Sequence, residues 1–289
     1  MRTGTPGCTF AVSLLSLGLF ADTTLAQATT QRPDAQAQQL VQTAVETELA
    51  ANHDDHSRWQ YRSAVRKPEG EFLYQVVETD HGSVKKKIRQ NGQPLSKEDL
   101  EKENQRINSF VHDSSQQAKQ HKDSEQDDKR AENMLRILPD AFLWTMRSDT
   151  ADSTTFSFVP NPNFDPPTME SRVFAAMAGE IVVSKPEKRI QRISGKLIHD
   201  VKFGYGLLGK MEEGGTFTVE RRSLAPKVWQ ITESHVHING HILLFKTIME
   251  QEDEVKTDFK PTPPGTTLEQ AAGLLRNEPA SLVVNPCCK

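Results

Sequence analysis

Residues 57–65 read Ser-Arg-Trp-Gln-Tyr-Arg-Ser-Ala-Val, and this stretch decides the class of fold. Trp59, Tyr61, Ser63 and Val65 alternate with mostly polar neighbours, so the two sets of side chains would lie on opposite sides of an extended chain. A period of two over this length is typical of a half-buried β-strand. The ring-bearing side would face the protein interior.

The same alternation returns several times along the chain. It continues in Phe72, Tyr74 and Val76, and returns in the second half, which is mostly strand. Further strands are predicted near 84–89, 142–146, 156–158, 180–184, 189–198, 215–222, 228–238 and 241–257. Asn239-Gly240, between the last two, predicts a two-residue hairpin turn. Because short turns join consecutive strands, the sheet is expected to be antiparallel.

Helices are predicted at the start, middle and end of this strand series. Residues 34–52 place apolar side chains at three- and four-residue steps: Leu40, Val41, Ala44, Val45 and Leu49. A short helix begins near Thr168 and is expected to end at Gly179, and residues 268–275 predict a last one. The fold class expected is α+β, with a strongly curved antiparallel sheet, an unclosed barrel, and helices covering its concave face.

A polar insertion interrupts the strands at about 96–138. Ser96 opens it with a capping signal, and from residue 112 to residue 130 the only apolar side chain is Ala118. Such a segment cannot bury a face, so we expect a solvated helix or a mobile insertion. The chain is then divided into a single domain at 29–276 with this insertion, and a C-terminal tail at 277–289.

The first 28 residues predict an exported protein. Arg2 precedes the short apolar run at 10–20, and Ala26-Gln27-Ala28 matches the small-residue pattern of a signal peptidase site. We therefore expect a periplasmic or secreted protein. The remaining chain contains no apolar stretch long enough to span a membrane, and its net charge of -4 argues against nucleic acid as a partner.

Three short motifs resemble cofactor or metal sites, but the residues around each of them argue against such a site. Gly204 to Gly209 spells G-x-G-x-x-G, but Gly214-Gly215 and a strand follow instead of a helix. His235 and His237 share one side of a strand, whereas a two-residue turn would put His241 on the other. Residues 53–56, His-Asp-Asp-His, fit a hydrated hinge. No catalytic residue, metal or cofactor is predicted. Cys287 and Cys288, adjacent in the tail, provide no disulfide framework.

The ring-bearing strands are the main candidate for a functional site. The candidate lining of an apolar cavity is Trp59, Tyr61, Phe72, Tyr74, Trp144, Phe156, Phe158, Phe217 and Trp229. A packed core under the helices explains the same pattern equally well.

Three segments carry a resemblance to a known family. Residues 178–184, 186–190 and 192–197 resemble the strand, charged turn and returning strand of the periplasmic lipoprotein-sorting carriers, the LolA/LolB-like group. Residues 201–217 and 244–248 are similar to segments of acidobacterial envelope proteins. The resemblance implies an unclosed barrel and a non-catalytic carrier of acyl chains, although no cargo-gating residue of that family matches a position here.

Three functions are consistent with these observations. The first is a non-catalytic envelope protein that binds a lipid, an acyl chain or a lipoprotein in an apolar cavity. The second is a structural or protein-interaction module with a closed core, in which the polar insertion contacts a partner. The third is a hydrolase with a site assembled from dispersed residues, which no motif supports.

Overall fold

The computed structural model describes residues 34–203, 209–241 and 250–277. The helices are α1 (Ala35–Asp54), α2 (Lys97–His112), α3 (Ser114–Ala141), α4 (Met169–Phe174) and α5 (Leu268–Asn277). The strands are β1 (Trp59–Lys67), β2 (Gly70–Thr79), β3 (Gly82–Gln90), β4 (Gln93–Pro94), β5 (Phe142–Asp149), β6 (Ser153–Pro160), β7 (Met177–Ser184), β8 (Ile190–Leu197), β9 (Val201–Phe203), β10 (Gly209–Met211), β11 (Thr216–Ala225), β12 (Val228–Ile238), β13 (Gly240–His241) and β14 (Glu250–Pro261). The expected signal peptide, residues 204–208 of the glycine motif and residues 278–289 of the expected tail lie outside the described residues.

Eleven strands form one open sheet. Their order is β4-β3-β2-β1-β14-β12-β11-β8-β7-β6-β5, and the strands between β3 and β5 in this order pair antiparallel with both neighbours. A smaller sheet has the order β13-β10-β9. The predicted α+β class and antiparallel sheet are confirmed. The late strand β14 lies between β1 and β12, so the two ends of the domain meet in the middle of the sheet.

One unbroken row of paired residues crosses the sheet from β5 to β3. The row consists of Met146, Phe156, Ile181, Ile193, Val219, Ser234, Glu254, Val65, Phe72 and Gln90. Residues paired across antiparallel strands point to the same side, so the whole row lies on one face. We call it the α1 face, because the core that α1 shares with the sheet includes Phe156 and Ile181.

Helix α1 covers the β5–β8 end of this face. The Asp34 carboxylate caps the helix by accepting hydrogen bonds from the first-turn N–H groups, and the predicted helix is confirmed. Val41, Ala44 and Val45 are buried as expected, whereas Leu40 is 41% exposed. The buried stripe therefore continues from Val45 to Glu48, one turn later, rather than back to Leu40.

Helices α2 and α5 cover the opposite face at the other end of the sheet. Leu268 and Ala271 of α5 share a core with Val77 and Val84, which pair with each other. Val76 lies on the α1 face, so its neighbour Val77 points to the other side. The expectation that helices cover a single concave face is wrong. Because apolar surface is divided between both faces, the sheet is neither closed nor strongly curled.

The outer edge of β3 is closed by helix side chains instead of another long strand. Three helix side chains form hydrogen bonds with the backbone groups of β3 that point away from β2. Gln120 accepts the Ser83 N–H at 3.0 Å and donates to the Ser83 C=O at 3.1 Å. Arg106 donates to the Lys85 C=O, and Glu103 accepts from the Lys87 N–H at 2.7 Å. Strand β4 pairs with the last two residues of β3. An exposed edge that could pair with another chain is thereby removed.

Helix α3 bridges the two ends of the sheet. It begins beside the β3 edge and leads directly into β5, nine strand spacings or about 43 Å away along a flat sheet. Its 28 residues extend about 42 Å. Leu135 and Leu138 pack into the α1 core, whereas residues 121–131 are all exposed. The polar insertion is thus helical, and its middle lies in solvent.

Two glycines have different roles from those predicted. Gly179 does not end α4 but lies inside β7, opposite Gly195. Gly240 does not form a hairpin turn to β14, because it pairs with Met211 in the smaller sheet. A Cβ at Gly240 would come within 2.4 Å of the Met211 Sδ, so the residue is needed for a close approach between strands.

A buried ion cluster anchors α1 to the sheet. The Glu48 side chain is 1% exposed and lies 2.9 Å from the Arg189 guanidinium, with Arg221 on the same carboxylate oxygen. Its other oxygen accepts the Ile190 N–H at 2.6 Å. Two cations and one backbone donor thus compensate a single carboxylate that α1 carries into the core.

Replacement of Glu48 by alanine should destabilise the protein by about 3–5 kcal/mol, because the buried Arg189 and the partly buried Arg221 would lose their counter-ion. Urea denaturation monitored by circular dichroism measures this change. Glu46 lies on the exposed side of α1, and Glu46→Ala should change the free energy of unfolding by less than about 0.5 kcal/mol. Equal effects of the two variants would contradict the anchoring role.

Replacement of Glu103 by glutamine should destabilise the protein in a pH-dependent way. Burial raises the pKa of Glu103. Hydrogen bonds from the Arg106 guanidinium and the Lys87 N–H lower it by more than burial raises it, so the pKa lies below its ordinary value. Because the pKa is lowered in the folded state, the charged carboxylate stabilises the protein above about pH 4.3. This stabilisation is lost as the pH falls through the pKa of the folded state.

The variant should therefore lose about 1–2 kcal/mol at pH 7, and this deficit should shrink below about pH 4. Urea denaturation from pH 7 to pH 3 checks this expectation, with Glu101→Gln on the exposed side of α2 as the control. A deficit that stays constant over this range would show that the Glu103 carboxylate charge is not what stabilises the β3 edge.

Candidate functional site

The predicted ring-bearing residues lie mostly on the α1 face but in two separate groups. Strand register places eight of the nine there: Trp59, Tyr61, Phe72, Tyr74, Trp144, Phe156, Phe158 and Phe217. Between the groups, the strand row passes through Ser234 and Glu254. The ninth residue, Trp229, is 8% exposed and donates its Nε1–H to Glu187 at 3.0 Å.

The first group is a filled core. The ring centroids of Phe142 and Phe158 are 4.5 Å apart, and those of Trp144 and Phe158 are 5.3 Å apart. Phe142, Trp144, Phe156 and Phe158 are each 1% exposed. A Cβ at Gly179 would lie 2.9 Å from the Phe158 ring, so the ring already fills the space that a side chain at this position would need. At this end of the sheet, the rings pack against each other and against α1.

Gly195 completes this packing from the neighbouring strand. It pairs with Gly179, and a Cβ on it would come within 2.5 Å of the Phe217 ring. Two paired glycines thus let two aromatic rings lie close over the sheet backbone. This use of glycine explains why Gly179 falls inside a strand rather than at a helix end.

The second group forms a surface that is both aromatic and cationic. We call it the aromatic–cationic face and define it by Tyr61, Phe72, Tyr74, Lys85, Lys87 and Lys256. All three rings are half-buried, and each has an ammonium group over it. The Nζ atoms of Lys85, Lys256 and Lys87 lie 3.9, 5.3 and 5.6 Å from the ring centroids of Tyr74, Tyr61 and Phe72.

Carboxylates neutralise only part of this face. Lys256 lies 3.6 Å from Glu254, which also accepts the Ser63 hydroxyl at 2.6 Å. Lys85 and Lys87 reach no carboxylate within ion-pair distance among the described residues; the Lys87 ammonium donates to the Gln90 amide oxygen at 3.0 Å. The side of the face nearest β3 therefore carries unpaired positive charge beside exposed ring surface.

Tyr61 is held in its neutral form. Burial raises the pKa of its phenol, and the carboxylates of Glu78 and Glu254 and a hydrogen bond to Glu78 raise it further. The ring also stacks on Phe259 with centroids 5.2 Å apart. Burial likewise raises the pKa of Glu78 above its ordinary value. Tyr61 thus contributes an apolar ring and a hydrogen-bond donor rather than a nucleophile.

The histidine motifs do not form a metal centre in the described part of the chain. His235 and His237 share one carboxylate oxygen of Asp253, at 2.8 and 2.9 Å. No described group of three or more histidine, cysteine or acidic residues could hold a metal ion. In the 53–56 motif, His53 contacts Asp54 at 3.1 Å with both side chains exposed. Cys287 and Cys288 lie outside the described residues.

A surface cavity lies at the outer side of the core that contains the first ring group, since Val201 belongs to that core and Phe164 packs against it. Its volume is about 340 Å³, and its walls include Asn161, Phe164, Arg172, His199, Val201 and Lys202. None of the nine ring-bearing residues predicted to line a cavity contributes to it. The cavity is formed by the proline-rich loop before α4 and by the chain entering β9.

Sequence reasoning missed the residues that give the site its charge. Lys85 and Lys87 are on a strand that was predicted, but their position over Tyr74 and Phe72 depends on the β2–β3 register. Glu48 carried a usable signal, because it continues the buried stripe of α1 at the spacing of Val41 and Val45. A carboxylate at such a position requires buried cationic partners.

Comparisons with models of protein families, with curated proteins and with solved structures found no match. None of the described helices is long and apolar enough to cross a membrane. The resemblance to the lipoprotein-sorting carriers therefore stays an expectation from short segments. Among the described residues, the aromatic–cationic face combines half-buried rings with ammonium groups that have no ion pair.

Tyr61 should stay protonated in the native protein at pH 11, because burial and two carboxylates oppose its ionisation. The chain has three tyrosines, and their ionisation is measured by absorbance at 295 nm. Tyr61→Phe should leave the native absorbance change at pH 11 unaltered but remove one third of the change in denaturant. A smaller native change in the variant would contradict the burial of this phenol.

Proposed function

We propose that the protein is a non-catalytic binding protein of the cell envelope, periplasmic or secreted, that binds a lipid or an acylated partner. The ligand would lie on the aromatic–cationic face rather than in a cavity among all nine rings. The observation that carries this proposal is the half-buried state of Tyr61, Phe72 and Tyr74, in contrast to the packed rings of the first group. No cofactor, metal or covalent step is invoked.

The face matches the chemistry of an amphiphile that has an anionic head. Each square ångström of ring surface that an acyl chain removes from water contributes about 25 cal/mol. Lys85 and Lys87 provide ammonium groups for a phosphate or carboxylate, without a carboxylate partner among the described residues. Helix α3 joins the two ends of the sheet with residues 121–131 exposed, so this part of the helix has no apolar stripe with which to cover the face.

A protein-interaction module is the second candidate function. The filled core around Phe158 favours it, because most of the predicted cavity lining is already buried against protein. The exposed middle of α3 would then be the contact surface, with alternating charges such as Asp127 and Arg130, which form an ion pair at 2.9 Å. In this case, substitutions on α3 rather than on the aromatic–cationic face would abolish partner binding.

The binding of a short-chain anionic lysophospholipid, measured by isothermal titration calorimetry below its critical micelle concentration, tests the proposal. The double variant Lys85→Ala/Lys87→Ala should weaken binding about tenfold or more, because each ammonium loses a charge-assisted hydrogen bond. Phe72→Ala should weaken it through lost apolar contact. Native mass spectrometry of the purified protein identifies any lipid retained from the cell.

Lys119→Ala/Lys122→Ala is the matched control, since it also removes two positive charges, but from the exposed side of α3. It should bind the lysophospholipid like the unmodified protein. Failure of the unmodified protein to bind any lysophospholipid, or an equal loss in both double variants, would refute lipid binding at this face. An empty protein that loses a protein partner through α3 substitutions would favour the second candidate.

A further inference from the structure

The surface cavity next to α4 has an excess of positive charge that the lipid proposal does not use. Arg172 and Lys202 line it together with His199, and neither cation has a carboxylate within ion-pair distance in the described residues. Among the described residues, Asp200 is the acid that lines it. We call this site the cationic cavity.

Asp200 is already committed to other partners. Its carboxylate accepts the Glu213 N–H at 3.0 Å and lies 2.9 Å from the Lys210 ammonium. The hydrogen bond from Glu213 and then that from Lys210 hold the pKa of Asp200 below its ordinary value, so it is fully charged at neutral pH. This carboxylate pairs with Lys210 and also attracts the nearby Lys202, so one negative charge is shared by two ammonium groups, and Arg172 has no ion pair in the described residues.

Strand register increases this imbalance. Lys202 of β9 pairs directly with Lys210 of β10, which places two ammonium-bearing side chains on the same side of the smaller sheet. Like charges directly opposite each other destabilise a strand pair. The Asp200 carboxylate attracts both ammonium groups but carries a single charge, so an additional anion near Lys202 would further reduce the repulsion between them.

The opposite wall of the cavity is rigid and partly apolar. Asn161 fixes the loop, because its side chain donates to the Asp140 carbonyl at 2.8 Å and accepts the Asn163 N–H at 3.1 Å. Pro162 and Pro166 restrict the backbone on the same side. Phe164 and the largely buried Val201 supply apolar contact surface. The site is open to solvent, and its volume of about 340 Å³ has room for a small organic molecule.

We propose that the cationic cavity binds a small organic anion, a phosphate monoester or carboxylate with a short apolar group. Arg172 and Lys202 contact the anionic group, and Phe164 and Val201 contact the apolar part. The site is separate from the aromatic–cationic face, so it does not depend on lipid binding there.

Isothermal titration calorimetry with inorganic phosphate, butyl phosphate and hexanoate tests the proposal and distinguishes the two anion types. Butyl phosphate should bind at least about fivefold more tightly than inorganic phosphate, because each buried methylene contributes to binding. The preference between butyl phosphate and hexanoate identifies the anionic group. Raised salt should weaken the binding of either ligand.

Arg172→Gln/Lys202→Gln should reduce the affinity for the preferred probe by about tenfold or more. Lys119→Gln/Lys122→Gln removes two charges from α3 and should leave the affinity unchanged. Circular dichroism shows whether each variant folds, and the exposed single variant Lys202→Gln provides the test if the double variant does not. Absence of binding of all three probes to the unmodified protein, or an equal loss in the control, would overturn the proposal.

Discussion

The structure depends on one continuous row of antiparallel residue pairs that runs from β5 to β3, although β-bulges shift the register elsewhere in several strand pairs. A slip of one residue in any strand would move its side chains to the other face, so each pair constrains the next. Phe156 faces α1, and Phe72 faces the same side far away, because the residue pairs of this row connect them across every intervening strand. Register thus decides which rings are buried under helices and which stay half-exposed.

Division of the helices between the two faces follows from the same constraint. Alternating Val76 and Val77 gives β2 an apolar residue on each side, so α5 can cover one face while α1 covers the other at the far end. A sheet covered in this way leaves part of each face without a helix. Helix α3 then has a structural reason to be long, since it leads from the end of α2, beside the β3 edge, to β5 across a distance that no short loop could span.

The sequence predicts the helices and strands of this fold better than it predicts how they pack against one another. Period-two alternation around Trp59 and Trp144, and the helical stripe at Val41 and Val45, identify strands and α1 because these signals are local. Gly179 and Gly240 were misassigned because glycine also marks turns, and only the positions of Phe158 and Met211 reveal the close approach. The rings of the candidate site were predicted, but their division into a core and a surface depends on which helix covers which strand.

Unpaired cations beside apolar surface are the feature that the two proposed binding surfaces share. Arg222 has Glu233 at 3.1 Å, and Lys67 has Glu252 at 2.6 Å, as expected for a chain whose net charge is -4. Lys85 and Lys202 have no ion pair in the described residues, and neither do Lys119 and Lys122 of α3. Unlike these α3 lysines, Lys85 and Lys202 each lie beside apolar surface. An acidic protein has carboxylates available for such cations. Where an unpaired cation borders apolar surface, an external amphiphilic anion can supply both the missing charge and the missing contact.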